Sequence, residues 1–257
     1  MSTMYDDDDL SVLDAADLES PLDDIEPIDS ESEAQKPDPE AMLALLTARE
    51  TPQRMLAARA FCEIQDERAI PYLINLLKDV CPLVRVSAAY ALGRNPSSTA
   101  VEPLIEQLNR DWNGYVRKGV VWALGNCHDR RALPSLTDAL KTEISAVRLW
   151  AASALAQMAE LEYEDIVVSI PPLIRALKRD PIAAVRSNCA WSLGQLCREL
   201  PSNAVYAGAI DALLEAFAED EDMGVREDAK AALLKVGEPR GLQMIEAIES
   251  FEMEGLL

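Results

Sequence analysis

Ala69-Ile70-Pro71-Tyr72-Leu73, then Asp79, then Val84-Arg85-Val86-Ser87-Ala88-Ala89-Tyr90-Ala91-Leu92-Gly93, is the stretch whose reading decides the fold. Counted from Arg85 as zero, apolar or small residues stand at −1, +3 and +7 (Val84, Ala88, Leu92), which share one face of a helix. Pro71 suits the first turn of another helix, where an amide has no helical acceptor. The pattern returns at Val116-Arg117, Val147-Arg148, Val185-Arg186 and Val225-Arg226, with the arginines 31 to 40 residues apart. Six or seven residues after each comes a small residue and then Leu, as in Ala123-Leu124, Ala154-Leu155, Ser192-Leu193 and Ala232-Leu233. Pro103, Pro134 and Pro172 repeat the position of Pro71. A period of this size predicts an all-α solenoid of about six stacked helix pairs, each with a Val-Arg helix followed by a proline-marked helix. The pairs are expected near 52–78, 82–110, 114–141, 145–179, 182–219 and 222–251, with a capping helix at about 38–49. Longer connections are expected around 160–168 and 199–206.

Charge divides the chain in two. Residues 1–40 hold 15 acids and one base (Lys36), which leaves 30 acids and 23 bases elsewhere and a total of −21. Residues 1–37 are expected to be a disordered acidic tail, because they cannot bury enough apolar surface to offset their ordering entropy. Leu10, Val12, Leu13, Leu18, Leu22, Ile25 and Ile28 are interspersed with the acids. That suits either a solubilising tail or a segment that folds on a partner. Residues 38–257 form the repeat body. Both parts would repel a phosphate backbone, so no nucleic acid is expected as a partner, and a basic protein surface is the more natural one. No apolar run approaches the ~20 residues that span a bilayer, and no secretory leader is legible, so a cytoplasmic protein without membrane contact is expected. The five cysteines are odd in number and include no Cys-x-x-Cys, which fits a reducing compartment.

An acid precedes most of the arginines by six residues: Asp79 and Arg85, Asp111 and Arg117, Asp180 and Arg186, Asp220 and Arg226; Glu143 stands five before Arg148. Such a carboxylate can cap the incoming helix and accept charge-assisted bonds from the arginine. Stacked, these pairs are expected to form an internal structural ladder.

Asp, a short loop, Val-Arg, an Ala-rich stretch, Ala-Leu-Gly and then Ala-Ile-Pro-Tyr-Leu resembles the HEAT-repeat superfamily, and within it the HEAT-like repeats of phycobilin lyases. The resemblance covers about residues 52–240 and leaves out the acidic tail. The layout is also similar to cyanobacterial HEAT-repeat proteins that bind an IscA-type iron–sulfur carrier. These resemblances imply a cyanobacterial source and either an iron–sulfur carrier or a phycobiliprotein as partner.

The residues assemble no catalytic set. His128, beside Cys127, is the one histidine, and the pair reads as an exposed turn rather than a metal or nucleophile site. Cys62, Cys127 and Cys197 are expected at turns along one edge, in alternate pairs too far apart for a shared metal, while Cys189 falls in the inward register. No cofactor and no metal is predicted. Tyr90, Trp122 and Trp191 share position +5 and read either as packing residues or as an exposed aromatic row; Trp112, in a loop, is the best exposed anchor. The proline-marked helices are expected to line the concave face, where Asn75, Gln107, Asp138 and Arg175, with Lys78, Arg110, Lys141 and Arg179 nearby, would contact a protein. The function expected is a non-catalytic scaffold that docks a partner on that face. The alternative is a bilin lyase or chaperone subunit that attaches phycocyanobilin to a phycobiliprotein. A third expectation is that the acidic tail covers the body's basic surface until a partner displaces it.

Overall fold

The computed structural model describes residues 37–157 and 162–254. The acidic tail expected at 1–37 therefore lies, apart from Pro37, outside the described residues, as does part of the connection expected at 160–168. The helices are α1 (Pro39–Leu45), α2 (Thr51–Ala60), α3 (Ile70–Leu76), α4 (Pro82–Arg94), α5 (Val101–Arg110), α6 (Gly114–Asn126), α7 (Leu133–Thr142), α8 (Ser145–Ala156), α9 (Tyr163–Arg179), α10 (Ala183–Cys197), α11 (Ala204–Glu219), α12 (Met223–Val236) and α13 (Pro239–Glu254). There is no strand among the described residues. Behind the short α1, which packs on α2, each proline-marked helix packs on the Val-Arg helix that follows it, as the pairs α3/α4, α5/α6, α7/α8, α9/α10 and α11/α12, with α13 at the end. The expected pairs, which joined each Val-Arg helix to the proline-marked helix after it, are corrected, because the short turn that carries the ladder acid folds the two helices together.

Local chemistry sets the boundaries. Asp38, Asn113, Asn203 and Asp222 accept first-turn amides of α1, α6, α11 and α12 as N-caps. Pro71 and Pro134 occupy first-turn positions of α3 and α7, as expected. Pro172 does not: α9 begins at Tyr163, so Pro171 and Pro172 lie inside it, and residues 163–168, expected as connection, are its first turns. The apolar positions Ile166 and Ile170, buried with Leu173, carry the helix N-terminal to the prolines.

The core follows the repeat. Val84, Ala88 and Leu92 are fully buried, and so are the matching residues of α6, α8, α10 and α12, down to Val225, Ala229 and Leu233. Small residues let the Val-Arg helices meet almost backbone to backbone. A Cβ added to Gly93 would lie 2.3 Å from the Trp122 ring and 3.0 Å from the Ala123 Cα; one on Gly194 would lie 3.1 Å from the Ala232 Cα. The proline-marked helices are instead separated by open grooves, of about 330 Å³ between α5 and α7 and about 340 Å³ between α7 and α9. Unequal spacing bends a stack, and the closer row lies inside the bend. The Val-Arg helices therefore line the concave side. The assignment of the concave face to the proline-marked helices is corrected: they form the outer, grooved side.

The ladder is present with its partners shifted by one unit. Each arginine grips the carboxylate of the next pair with Nε and Nη2: Arg85 holds Asp111 at 2.7 and 2.9 Å, Arg117 holds Glu143 at 2.6 and 2.9 Å, Arg148 holds Asp180 at 2.7 and 2.8 Å, and Arg186 holds Asp220 at 2.8 and 2.8 Å. The acid just upstream is bound through its main chain, since Nη1 of Arg85, Arg117, Arg148 and Arg186 donates to the carbonyls of Asp79, Asp111, Glu143 and Asp180. The expected side-chain pairing six residues apart is thus corrected. A carboxylate already turned toward the amide two residues on (Cys81, Asn113, Ile182, Asp222) faces the preceding unit. Arg54 supplies a first rung that the Val-Arg pattern missed, donating to Asp79 at 2.7 Å. At the far end, Arg226 Nε is buried and has no hydrogen-bond partner among the described residues.

Burial alone would raise the Asp111 carboxyl, but the Arg85 guanidinium, the Asn113 amide and the Gln107 amide together hold it below the usual carboxylate range. Asp79 and Asp220 are depressed by the same balance, with Arg54 and Arg186 as their partners. A depressed carboxyl contributes stability that is present above the unfolded value of about 4 and lost as pH falls through the folded value. Denaturant midpoints should therefore stay level from neutral pH to about 5 and drop steeply below about 4. Asp111→Ala strands an arginine whose side chain is 8% exposed and should cost about 3–5 kcal/mol in urea unfolding. Glu143→Ala, at a rung 16–17% exposed, should cost about 1–3 kcal/mol; equal losses would contradict the burial gradient.

Candidate protein-binding surfaces

Three surfaces are built on this frame. The first is the outer, grooved side. Asn75 (α3), Asp138 (α7) and Arg175 (α9) are exposed there, as the sequence suggests. Gln107 is not available to a partner: it is buried, and its Nε2 donates to Asp111 at 2.6 Å, so it belongs to the ladder. Of the cations on this side, Lys78 and Arg110 share Glu106, and Lys178 pairs with Glu215.

The second is the edge where each proline-marked helix turns into the next Val-Arg helix. Trp112 is 76% exposed, with the Arg85 guanidinium 5.9 Å from its ring centroid. Sequence reasoning picked out Trp112 and missed its neighbours along the same edge: Val80, Leu83, Tyr115, Ile144, Ile182 and Met223 are all exposed. The signal was legible as apolar residues two to five places before each arginine, opposite in sense to the buried −1, +3 and +7 set.

The third is the concave side. Tyr90 and Trp122 are half-buried, their ring centroids 5.3 Å apart, and Trp122 lies on Gly93. These two are packing residues. Trp191, in the same register, is 41% exposed and flanks an open hollow with Ser187, Asn188 and Asp228. Lys118 sits 5.5 Å over the Trp150 ring.

Of the cysteines, Cys81 sits on the second edge, beside Val80 at the start of α4. Cys197, expected near a turn, ends α10 and is buried, as is Cys189, which was expected in the inward register. Burial pushes the Cys197 thiol up to about 12 and raises Cys189, Cys62 and Cys127 as well. Among the described residues no group of three or more His, Cys, Asp or Glu is placed to hold a metal ion. His128, expected to be exposed, is half-buried in a left-handed turn with φ 47°. No described helix is long and apolar enough to cross a membrane.

Paired helices stacked through a shared ladder, with binding rows along the outside, define an α-solenoid of the HEAT class. The chain matches HEAT repeats over residues 39–117, 101–194 and 170–249, and it belongs to the HEAT-repeat family. Among curated proteins it is 36% identical over 117 residues to phycocyanobilin lyase subunit alpha of Picosynechococcus sp., a match covering 42% of this chain and 43% of that protein. The chain thus aligns with under half the length of this relative. Among solved structures, an engineered protein superposes with TM-score 0.59 at 25% identity, covering 78% of this chain and 98% of the other. A designed armadillo repeat protein in complex with the peptide (KR)4 superposes with TM-score 0.60 at 22% identity, covering 77% and 98%. The latter likeness is one of fold.

Because the thiolate is the reactive form, a thiol reagent at neutral pH should leave Cys189 and Cys197 unmodified in the native protein. Their reaction should track unfolding in a urea series; prompt labelling without denaturant would contradict their placement.

Proposed function

We propose that the chain is a non-catalytic scaffold that docks a partner protein on exposed side-chain rows of a rigid solenoid, with Asn75, Asp138, Arg175 and Trp112 among the contacts. The observation that carries this reading is the separation of roles: the polar groups of highest binding strength, the ladder arginines and acids, are consumed internally. What faces outward is open grooves and an apolar edge. Surfaces of this shape suit large, shallow contacts rather than enclosed chemistry. A phycobiliprotein partner is favoured by the lyase-subunit relative, and an iron–sulfur carrier by the sequence layout described above. Purification of the tagged chain from cyanobacterial lysate should recover one stoichiometric protein, and Trp112→Ala should weaken its retention without lowering the unfolding midpoint. No stoichiometric protein, or retention indifferent to Trp112, would defeat the proposal.

One observation favours a second reading. The 36% identity to a phycocyanobilin lyase alpha subunit supports a role as a lyase or chaperone subunit working with a second chain. Co-expression with that second chain, an apo-phycobiliprotein and bilin should then give a covalently coloured product, and a colourless phycobiliprotein would defeat it.

A further inference from the structure

We infer that the groove between α7 and α9 recognises an acidic, apolar-studded linear segment of the partner protein. The inference rests on the scaffold proposal and specifies the chemistry of one of its contacts. Lys141, on the last turn of α7, and Arg175 and Arg179, one turn apart on α9, line the groove together. None of the three takes part in an ion pair or hydrogen bond among the described residues, whereas Lys78, Arg110 and Lys178 on the same side all find acids.

That contrast is informative in a chain with 45 acids and 24 bases, where a carboxylate is the commonest charged neighbour. Arg175 and Arg179 also stand in the i, i+4 relation, where like charges repel and destabilise a helix unless a counter-charge arrives. The other charged groups facing the groove do not supply one. Asp180 is committed to Arg148 at 2.7 Å, and Asp138 on α7 faces the neighbouring groove toward α5.

The walls between the cations are apolar: Leu140, Pro172 and Pro181. The volume of about 340 Å³ is open to solvent along its length and takes a few side chains of an extended peptide. Guanidinium forks grip carboxylates in a bidentate way, and apolar walls accept intervening aliphatic side chains. The sign of the groove is opposite to that of the chain as a whole, so a partner must present locally dense acid to be drawn there.

The test is fluorescence anisotropy of the full chain with a dye-labelled peptide repeating Asp-Asp-Leu, beside a peptide repeating Asp-Asp-Gly. The Leu peptide should bind and the Gly peptide should bind more weakly. Raising ionic strength from about 0.01 M to about 0.15 M, which shortens the screening length from ~30 Å to ~8 Å, should weaken binding. Arg175→Glu and Arg179→Glu should each weaken it by about tenfold, while Arg49→Glu, an equal charge change away from the groove, should not. No binding at low salt, equal binding of the two peptides, or indifference to both groove reversals would overturn the assignment. A dimer seen in sedimentation that Arg175→Glu dissolves would give the groove to a second copy and overturn it. Binding seen only after residues 1–36 are removed would give it to the chain's own acids and do the same. The core lies within residues 46–245, so that truncation leaves it whole. If the partner recovered from lysate is retained undiminished by Arg175→Glu and Arg179→Glu, the groove assignment fails while the scaffold proposal stands.

Discussion

Each ladder guanidinium is divided between two units. Its Nη1 holds the main chain at the turn it follows, and its Nε and Nη2 hold the carboxylate that shapes the following turn. That carboxylate also accepts an amide of its own turn, so one buried cluster fixes the end of one helix, the start of the next and the distance between two pairs. Charge this deep is tolerable because, at the rungs from Arg85 to Arg186, each guanidinium nitrogen and each carboxylate oxygen has a partner. The arrangement makes each pair depend on its neighbour, which is how a solenoid gains long-range order from contacts that never reach beyond the adjacent repeat. It also makes the ends special. Arg54 closes the first rung using the Ala48 and Arg49 carbonyls, while Arg226 ends the series with a buried nitrogen that has no acceptor among the described residues.

The two helix rows then diverge in character. On the concave side Gly93, Gly125 and Gly194 allow helix backbones to touch, so this row is close-packed and its aromatics are partly spent on packing. On the outer side the spacing opens, and long side chains reach across grooves that no neighbour fills. Binding capacity follows from this division. The residues that make the stack rigid are withdrawn from solvent, and those left outside are positioned by the rigid rows beneath them. The chain's excess of acid sharpens the division on the outer side, where Lys78, Arg110 and Lys178 are neutralised by Glu106 and Glu215 and where Lys141, Arg175 and Arg179 define a local field of opposite sign.

Much of this was legible in the sequence. The −1, +3, +7 register located the buried face of every Val-Arg helix, because helical periodicity and burial are both local consequences of side-chain spacing. The succession of helices followed from the recurrence of proline and of small residues, but which neighbour each helix packs against did not. Partner choice was not legible in the same way. Six residues separate Asp79 from Arg85 and twenty-six separate Arg85 from Asp111, and the chain gives no reason to prefer the longer link until the stack sets the next unit against the first. Gln107 looked like a free surface position for the same reason.

The sequence by itself therefore determined an all-helical repeat, its period, its buried register and the acids of its ladder, since all of these are written in the spacing of residues along the chain. Only the tertiary structure decided which acid each arginine holds, which row lies inside the curve and which cations remain without partners. Those are properties of distance between units, and the distance is set by how closely small residues let one helix approach the next.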